Sequence, residues 1–470
     1  MLINSFFIYN EFYYFSLLPL AFILFYFISF KLESLFFLIV AFTPFSLNLE
    51  ALSIGGIGLY LPTEPILLCL LLIFLFKLIQ RKEIAFYSIS YHPITIIILL
   101  QIFWIFITSI TSEFPIVSFK FLLARLWFIL PVFFLGLIIF SKSLKNIYKF
   151  LWAFLIPLTL VLVYTLFSHA LHGFSEEAGH WVMWPFFKDH TSYGAIIALF
   201  FPIVVGMMTD SKIPFNTRNI LKFIFLIFSV ALFYSYTRAA WLSVVAAGVV
   251  YLLFYFKIKF SWLLISGISL LIFLALNFTE ISYMLNKNNA EHTTEDFSER
   301  IESMSNISSD ASNLERFNRW NCAVKLFQER PLVGWGPGTY SFVYAPFQDA
   351  SDLTIISTNF GDGGNAHSEY LGPLAEQGFI GMFLMVLLVF FIFYRAGVLY
   401  IKLEDARLKR IVMMLMLGLV TYFTHGVLNN YLDTDKASVP VWAFIAIIVS
   451  LDMKFRISQT SNVSNNSKAL

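Results

Sequence analysis

The chain has 470 residues, of which 59% are hydrophobic, 19% aromatic and 13% charged, about half the charged share of a soluble domain at ~25%. An apolar surplus of this size cannot be hidden in soluble cores and needs a bilayer as solvent. The 31 basic and 29 acidic residues leave a net charge of +2, which excludes the basic footprint of a nucleic-acid binder. Cys69 and Cys322, one in an apolar run and one in a polar run, supply neither a disulfide framework nor a cysteine metal centre.

A membrane span needs roughly 20 mostly apolar residues. That window finds candidate helices at 12–30, 34–47, 61–79, 93–110, 121–140, 150–168, 192–208, 220–236, 239–256, 260–276, 378–401, 409–428 and 437–452. The first lacks the basic start and small-residue cleavage site of a signal peptide and is expected to be retained. The second is short and carries Pro44, so it either re-enters or merges with its neighbour. The sequence thus predicts an all-α polytopic membrane protein of 12 or 13 spans: ten over 1–276, three over 378–452, and a cytoplasmic tail over 453–470.

Lysine and arginine accumulate in short cytoplasmic loops. Twenty of the 31 basic residues fall on one alternating set of loops, from Lys31 through Lys142 and Arg410 to Lys468. The opposite face carries the polar segment 277–377, with fourteen acidic and six basic residues, which is therefore expected to be extracytoplasmic. A structureless loop of this length is improbable unless it has a function. Asn286–Asn313 is polar and aperiodic, and is expected to lack regular structure. Asn313 is read as the cap of a helix over Leu314–Glu329, with Phe317, Trp320, Val324 and Phe327 as its apolar stripe. Pro331 stops that helix, and the glycines and proline of Pro-Leu-Val-Gly-Trp-Gly-Pro-Gly then force a tight turn.

Ionisable groups at membrane depth are functional hypotheses by default. Arg125, in Phe-Leu-Leu-Ala-Arg-Leu-Trp, and Arg238, in Tyr-Thr-Arg-Ala-Ala-Trp, lie on the outer face where the basic bias disfavours them. Either they snorkel to lipid phosphates, or they clamp an anionic substrate with their planar fork of donors. Arg316 and Arg319, three apart, share one face of the loop helix. His367, in Asn-Ala-His-Ser-Glu-Tyr-Leu, is either structural or a general base, with Glu369 and Tyr370 beside it. The stretch His169–Tyr193 gathers His172, Glu176, Glu177, His180, Lys188, Asp189 and His190. It has three readings: a divalent-metal site, which matches no familiar ligand spacing, a plain solvated loop, or acceptor and sugar contacts from Lys188 and His190. Walker, GxGxxG and HExxH motifs are absent, which leaves an energy-independent enzyme, a carrier or a channel.

Arg319-Trp320, the run Glu329–Tyr340, the run Asn365–Gly381 and Thr-Arg-Ala-Ala-Trp-Leu at 237–242 together resemble the signature region of the O-antigen ligase and O-antigen polymerase superfamily. The similarity extends over roughly residues 185–430. It implies a metal-independent glycosyltransferase without a bound cofactor, which uses an undecaprenyl-diphosphate-linked glycan at the periplasmic face of the bacterial inner membrane. His367 would then be the base for the acceptor hydroxyl, Arg238 would hold the donor diphosphate, and Arg319, Arg316 and Arg125 would complete the phosphate site. Lys188, His190, Glu369 and Tyr370 are the expected acceptor or sugar contacts. The acceptor is a lipid A core for a ligase, the next repeat unit for a polymerase, or a protein hydroxyl for an oligosaccharyltransferase, and the ligase is favoured. A lipid-linked glycan transporter is the competing class. It would need access from both faces, whereas here the charged groups gather at one.

Overall fold

A computed structural model describes residues 32–48, 60–80, 91–258, 311–349, 353, 357 and 364–467. The expected spans 12–30 and 260–276 and residues 286–310 of the aperiodic stretch lie outside them. Among the described residues the architecture is all-α, with one antiparallel strand pair, β1 (Leu47–Asn48) against β2 (Tyr60–Leu61). Eight helices there are long and apolar enough to cross a membrane.

The helices follow in chain order as α1 (Leu32–Phe42), α2 (Thr63–Gln80), α3 (Pro93–Ile110) and α4 (Pro115–Phe128). A π-helical turn over Ile129–Leu135 carries α4 into α5 (Gly136–Lys142). Next come α6 (Leu144–Leu171), α7 (Glu176–Gly179), α8 (His190–Met208), α9 (Phe215–Phe233) and α10 (Arg238–Tyr255). After the polar segment the chain forms α11 (Ala311–Glu329), α12 (Tyr340–Val343), α13 (Leu371–Lys402), α14 (Ala406–His425) and α15 (Asp435–Ser467).

Most expected spans recur within a few residues, and α3 occupies the expected 93–110. Three boundaries differ. α13 begins at Leu371, and the expected start at 378 is instead a kink at Gly378, whose φ of 70° breaks the helical conformation. α15 runs on to Ser467, so residues of the expected tail continue the last helix. The short segment at Pro44 joins opposite ends of the bundle instead of turning back. Glu33 pairs with Lys142 at 3.1 Å, while Ser46 accepts from Lys436. Eleven residues rise only about 16 Å as α-helix, and the extended chain through β1 makes up length.

Both ends of the bundle are tied by charge. At the basic end Asp452 gathers His92 at 2.9 Å, Arg395 at 2.7 Å and Arg456 at 3.4 Å. There Asp210 likewise holds Arg410 at 2.7 Å and accepts from Tyr148 at 2.8 Å. Between these layers α8 packs on α9, α10 and α14. A Cβ on Gly206 would lie 2.7 Å from that of Met414, and one on Gly418 would lie 2.7 Å from the Leu199 carbonyl oxygen. Small residues let neighbouring helices approach this closely where apolar burial gives no drive between them.

At the opposite end, Lys436 is 4% exposed and donates to the Ser46 carbonyl at 2.8 Å, and Asp435 accepts from Thr63. Glu64, also buried, accepts from the Tyr60 amide at 3.0 Å. This network fastens the β1–β2 pair and α2 to α15. Lys436→Met is expected to destabilise the protein by about 3–5 kcal/mol, because it leaves the buried Asp435 carboxylate without its counter-charge. The check is the thermal midpoint in detergent. The double variant Asp435→Asn with Lys436→Met should recover much of the loss, and an unchanged midpoint in the single variant would sink the assignment.

Candidate active site

Pro331 ends α11, and the glycine-rich turn after it docks on the first turns of α13. Trp335 donates to the Ala375 carbonyl at 3.2 Å, Gly336 to that of Glu376 at 2.8 Å, and Phe379 to that of Pro331 at 2.9 Å. Gly334 sits at φ 66°, and a Cβ there would fall 2.3 Å from the Glu376 backbone. The turn thus permits a backbone-to-backbone approach that only glycine allows. The Glu329–Tyr340 signature is therefore a clamp that seats α11 against α13.

α11 starts at Ala311, so Asn313 lies within the helix and does not cap it. The expected apolar stripe is not the buried face. Phe317 and Val324 are exposed and Trp320 and Phe327 half-buried, while Glu315, Asn318 and Arg319 are buried beside the apolar Cys322, Ala323 and Leu326. Apolar side chains left uncovered by protein suit a helix at a membrane interface, and the buried polar ones are free to build a site.

On that buried side Arg319 meets Glu315 at 2.5 Å, and its guanidinium lies 4.2 Å from the centre of the Tyr344 ring. The Tyr340 hydroxyl donates to the Arg319 carbonyl at 2.6 Å. Burial would raise the Glu315 carboxyl, but hydrogen bonds from Ser357 and Arg319 outweigh it and hold Glu315 below its ordinary value. Among the described residues, Nη1 of Arg319 has no hydrogen-bonding partner. A fixed guanidinium with a donor in hand is what an anionic group would engage. One turn earlier, Arg316 donates through Nε to the Leu428 carbonyl at 3.3 Å.

His367 sits in the left-handed region at φ 46°, rare for a residue with a side chain and concentrated at functional sites. Its amide donates to Asn365 Oδ1 at 2.9 Å, and its carbonyl accepts from Trp320 Nε1 at 3.5 Å. The Asn429 side chain interacts with the ring. Burial first, and then Arg316 and Arg319, push the imidazole down to about 4, against the opposing pull of Asn429 and Glu315. His367 is therefore neutral at pH 7 and able to accept a proton.

His190, first residue of α8, lies within electrostatic reach of Arg316, and its ring centroid is 4.2 Å from that of His180. The His190 carbonyl accepts at 2.8 Å from Oγ1 of Thr237, the residue before Arg238, which opens α10. Arg316, Arg319, His367 and His190 thus lie within electrostatic reach of one another through Arg316 and His367. Four other expected site residues are placed differently. Arg125 donates to the Leu432 carbonyl at 2.8 Å and pairs with Asp433 at 3.1 Å, which commits it to the loop after α14.

Glu369, expected to contact an acceptor or sugar, is turned into the scaffold. One of its oxygens accepts from Tyr422 at 2.6 Å and from the amides of Tyr431 and Leu432 at 2.7 and 2.9 Å. Burial raises its carboxyl against the pull of Arg125. Tyr370 donates to the Phe423 carbonyl at 3.1 Å, and Lys188 is exposed. The polar stretch before α8 disperses: His172 packs against Trp181, and Asp189 caps α8 through the Ser192 amide at 2.7 Å. Among the described residues no three His, Cys, Asp or Glu side chains are grouped to hold a metal ion.

The loop after α14 adds residues that sequence reasoning passed over. His425, Asn429 and Asn430 come to this end of the bundle, His425 and Asn429 fully enclosed. The expense of a polar ring in an apolar helix was the available signal for His425.

No curated protein matches the chain significantly. Residues 223–386 match a family model described as O-Antigen ligase, a stretch that contains Arg238, Arg316, Arg319, the docking turn and His367. Over those 164 of the 470 residues the chain is similar to the O-antigen ligase family, and the helical membrane architecture agrees with that similarity.

Proposed function

We propose that the protein transfers a glycan from undecaprenyl diphosphate to an acceptor hydroxyl, with lipid A core as the favoured acceptor, at the periplasmic face of the bacterial inner membrane. The observation that carries this reading is His367, a neutral imidazole on a strained loop, beside Asn429 and within electrostatic reach of Arg316 and Arg319. The acceptor hydroxyl oxygen attacks the anomeric carbon, and the bond from that carbon to the diphosphate oxygen breaks. His367 takes the hydroxyl proton, and the leaving diphosphate keeps the electron pair.

Arg319, Arg316 and Arg238 supply preformed positive charge where negative charge develops, which is the largest single contribution in many enzymes. With that charge in place the transfer needs no metal ion. Arg125 serves at one remove, by holding the 432–433 backbone.

The test supplies purified protein with lipid-linked donor and, in separate reactions, lipid A core, further donor or a hydroxyl-bearing peptide. One discrete product with lipid A core supports the ligase. A ladder from donor alone indicates a polymerase, and a modified peptide indicates an oligosaccharyltransferase. Donor that crosses a liposome unconsumed would overturn the enzymatic reading.

A further inference from the structure

His425 closes α14 and is 1% exposed. Among the described residues, neither of its ring nitrogens has a hydrogen-bonding partner, and the same holds for Nδ2 of Asn429 and Oδ1 of Asn430. Asn429 is 3% exposed. Enclosed polar atoms left unpaired are costly, and in native proteins each calls for an explanation. Four of them within six residues point to something that binds there.

The position relative to the site is set by Arg316. It lies within electrostatic reach of His425, His367 and Tyr431, and its Nε is anchored on the Leu428 carbonyl between His425 and Asn429. The Asn429 side chain interacts with the His367 ring, and its Nδ2 has no hydrogen-bonding partner among the described residues. The His425 ring packs on Tyr431, centroids 5.7 Å apart, and Tyr431 is in turn hydrogen-bonded to Thr191. The loop therefore wraps around the far side of Arg316 from α11.

The chemistry of the unpaired atoms selects the ligand class. A neutral imidazole offers one donor and one acceptor, the Asn429 amide nitrogen offers donors, and the Asn430 oxygen offers an acceptor. A phosphate only accepts, so the two acceptors would repel it. A hydroxyl both donates and accepts and can satisfy all of them. Arg316 is within electrostatic reach of both His425 and His367, so a sugar joined directly to a diphosphate held by the arginines would reach this set.

We propose that His425, Asn429 and Asn430 form a hydroxyl-binding subsite for the sugar attached to the donor diphosphate, separate from the guanidiniums that hold the phosphates. The proposal rests on the glycosyl-transfer reading above. It assigns recognition of the donor's first sugar to the loop after α14, beyond the stretch matched by the family model.

The experiment measures binding of two probes to the full chain in nanodiscs: undecaprenyl diphosphate, and the same lipid carrying N-acetylglucosamine. Wild type is expected to prefer the sugar-bearing lipid by about tenfold, the worth of one or two net hydrogen bonds. His425→Leu should abolish that preference while affinity for the bare lipid stays within about twofold. Asn430→Ala, at a half-buried position, tests the same subsite if the enclosed variant does not fold, and should lower the preference about threefold or more. A wild-type ratio of one, or a ratio unchanged in the variants, would overturn the subsite. Failure of wild type to bind either lipid would overturn the diphosphate reading as well. Arg319→Ala separates the two ideas, since it should weaken both probes equally and leave their ratio intact.

Discussion

His367→Ala is expected to lower kcat for glycan transfer by about 10²–10⁴-fold, the usual contribution of a positioned general base, with the KM for lipid-linked donor within about twofold of wild type. Initial rates with purified donor and acceptor check this, and a variant that turned over at the normal rate would remove His367 from the reaction. The pH profile is a second readout. Because the imidazole is pushed down to about 4, its proton-accepting form persists well below the ordinary range near 6.5.

The acid limb of kcat/KM should therefore fall near pH 4. Arg316→Gln removes a positive neighbour that opposes protonation, so it should move that limb upward, toward 6.5. Bound diphosphate has the same sign of effect, since negative charge favours the imidazolium. The acid limb of kcat, which reports the substrate complex, should therefore lie above that of kcat/KM.

The second large effect concerns how Arg319 is held. A Cβ on Gly364 would fall 1.5 Å from Nη1 of Arg319 and 2.7 Å from the Tyr344 hydroxyl. Gly364→Ala must therefore swing the guanidinium off its seat between Glu315 and Tyr344, a displacement well over 1 Å. Misplacement on that scale costs on the order of 10²-fold in rate, so transfer should fall by about that factor although no ionisable group has been removed. Arg319→Ala should do at least as much to activity, and it should also lower the thermal midpoint because it leaves the buried Glu315 carboxylate without its counter-charge.

Glu315→Gln combined with Arg319→Ala is then expected to restore the midpoint and not the rate. If the double variant regained activity, Arg319 would be a structural partner of Glu315 and nothing more. If Gly364→Ala left transfer unchanged, the guanidinium position would not matter to the reaction.

The membrane architecture was legible in the sequence because a span is a local property. Twenty apolar residues in a row need hydrocarbon wherever the rest of the chain goes, so α3, α8, α10 and α13 could be drawn from windows alone. The basic bias of alternate loops is local in the same way, and it separated the Asp452 and Asp210 end from the end that holds His367. Arg238 and Arg319 could be named because basic residues are disfavoured on that face, and His367 because its run resembles the family signature. Less was legible where neighbours decide. The stripe on α11 reads as a buried apolar face by periodicity, yet Phe317 and Val324 are exposed and the inward face combines Glu315, Asn318 and Arg319 with Cys322, Ala323 and Leu326, because a helix beside a bilayer can leave apolar side chains uncovered by protein.

Chemistry by itself did not distinguish Arg125 from Arg319, nor Glu369 from His367. Tertiary structure commits Arg125 to Asp433 and Leu432, and Glu369 to the amides of Tyr431 and Leu432, while it leaves the buried Nη1 of Arg319 without a hydrogen-bonding partner among the described residues and sets His367 against Asn429. His425 and Asn429 escaped notice because they are joined to His367 only through a loop that closes back from the end of α14. The sequence alone determined that this is a helical membrane protein with outer-face arginines and a histidine, since composition and local pattern carry that information. Which of those groups converge, and which are spent on holding loops, was decided by contacts between residues far apart in the chain.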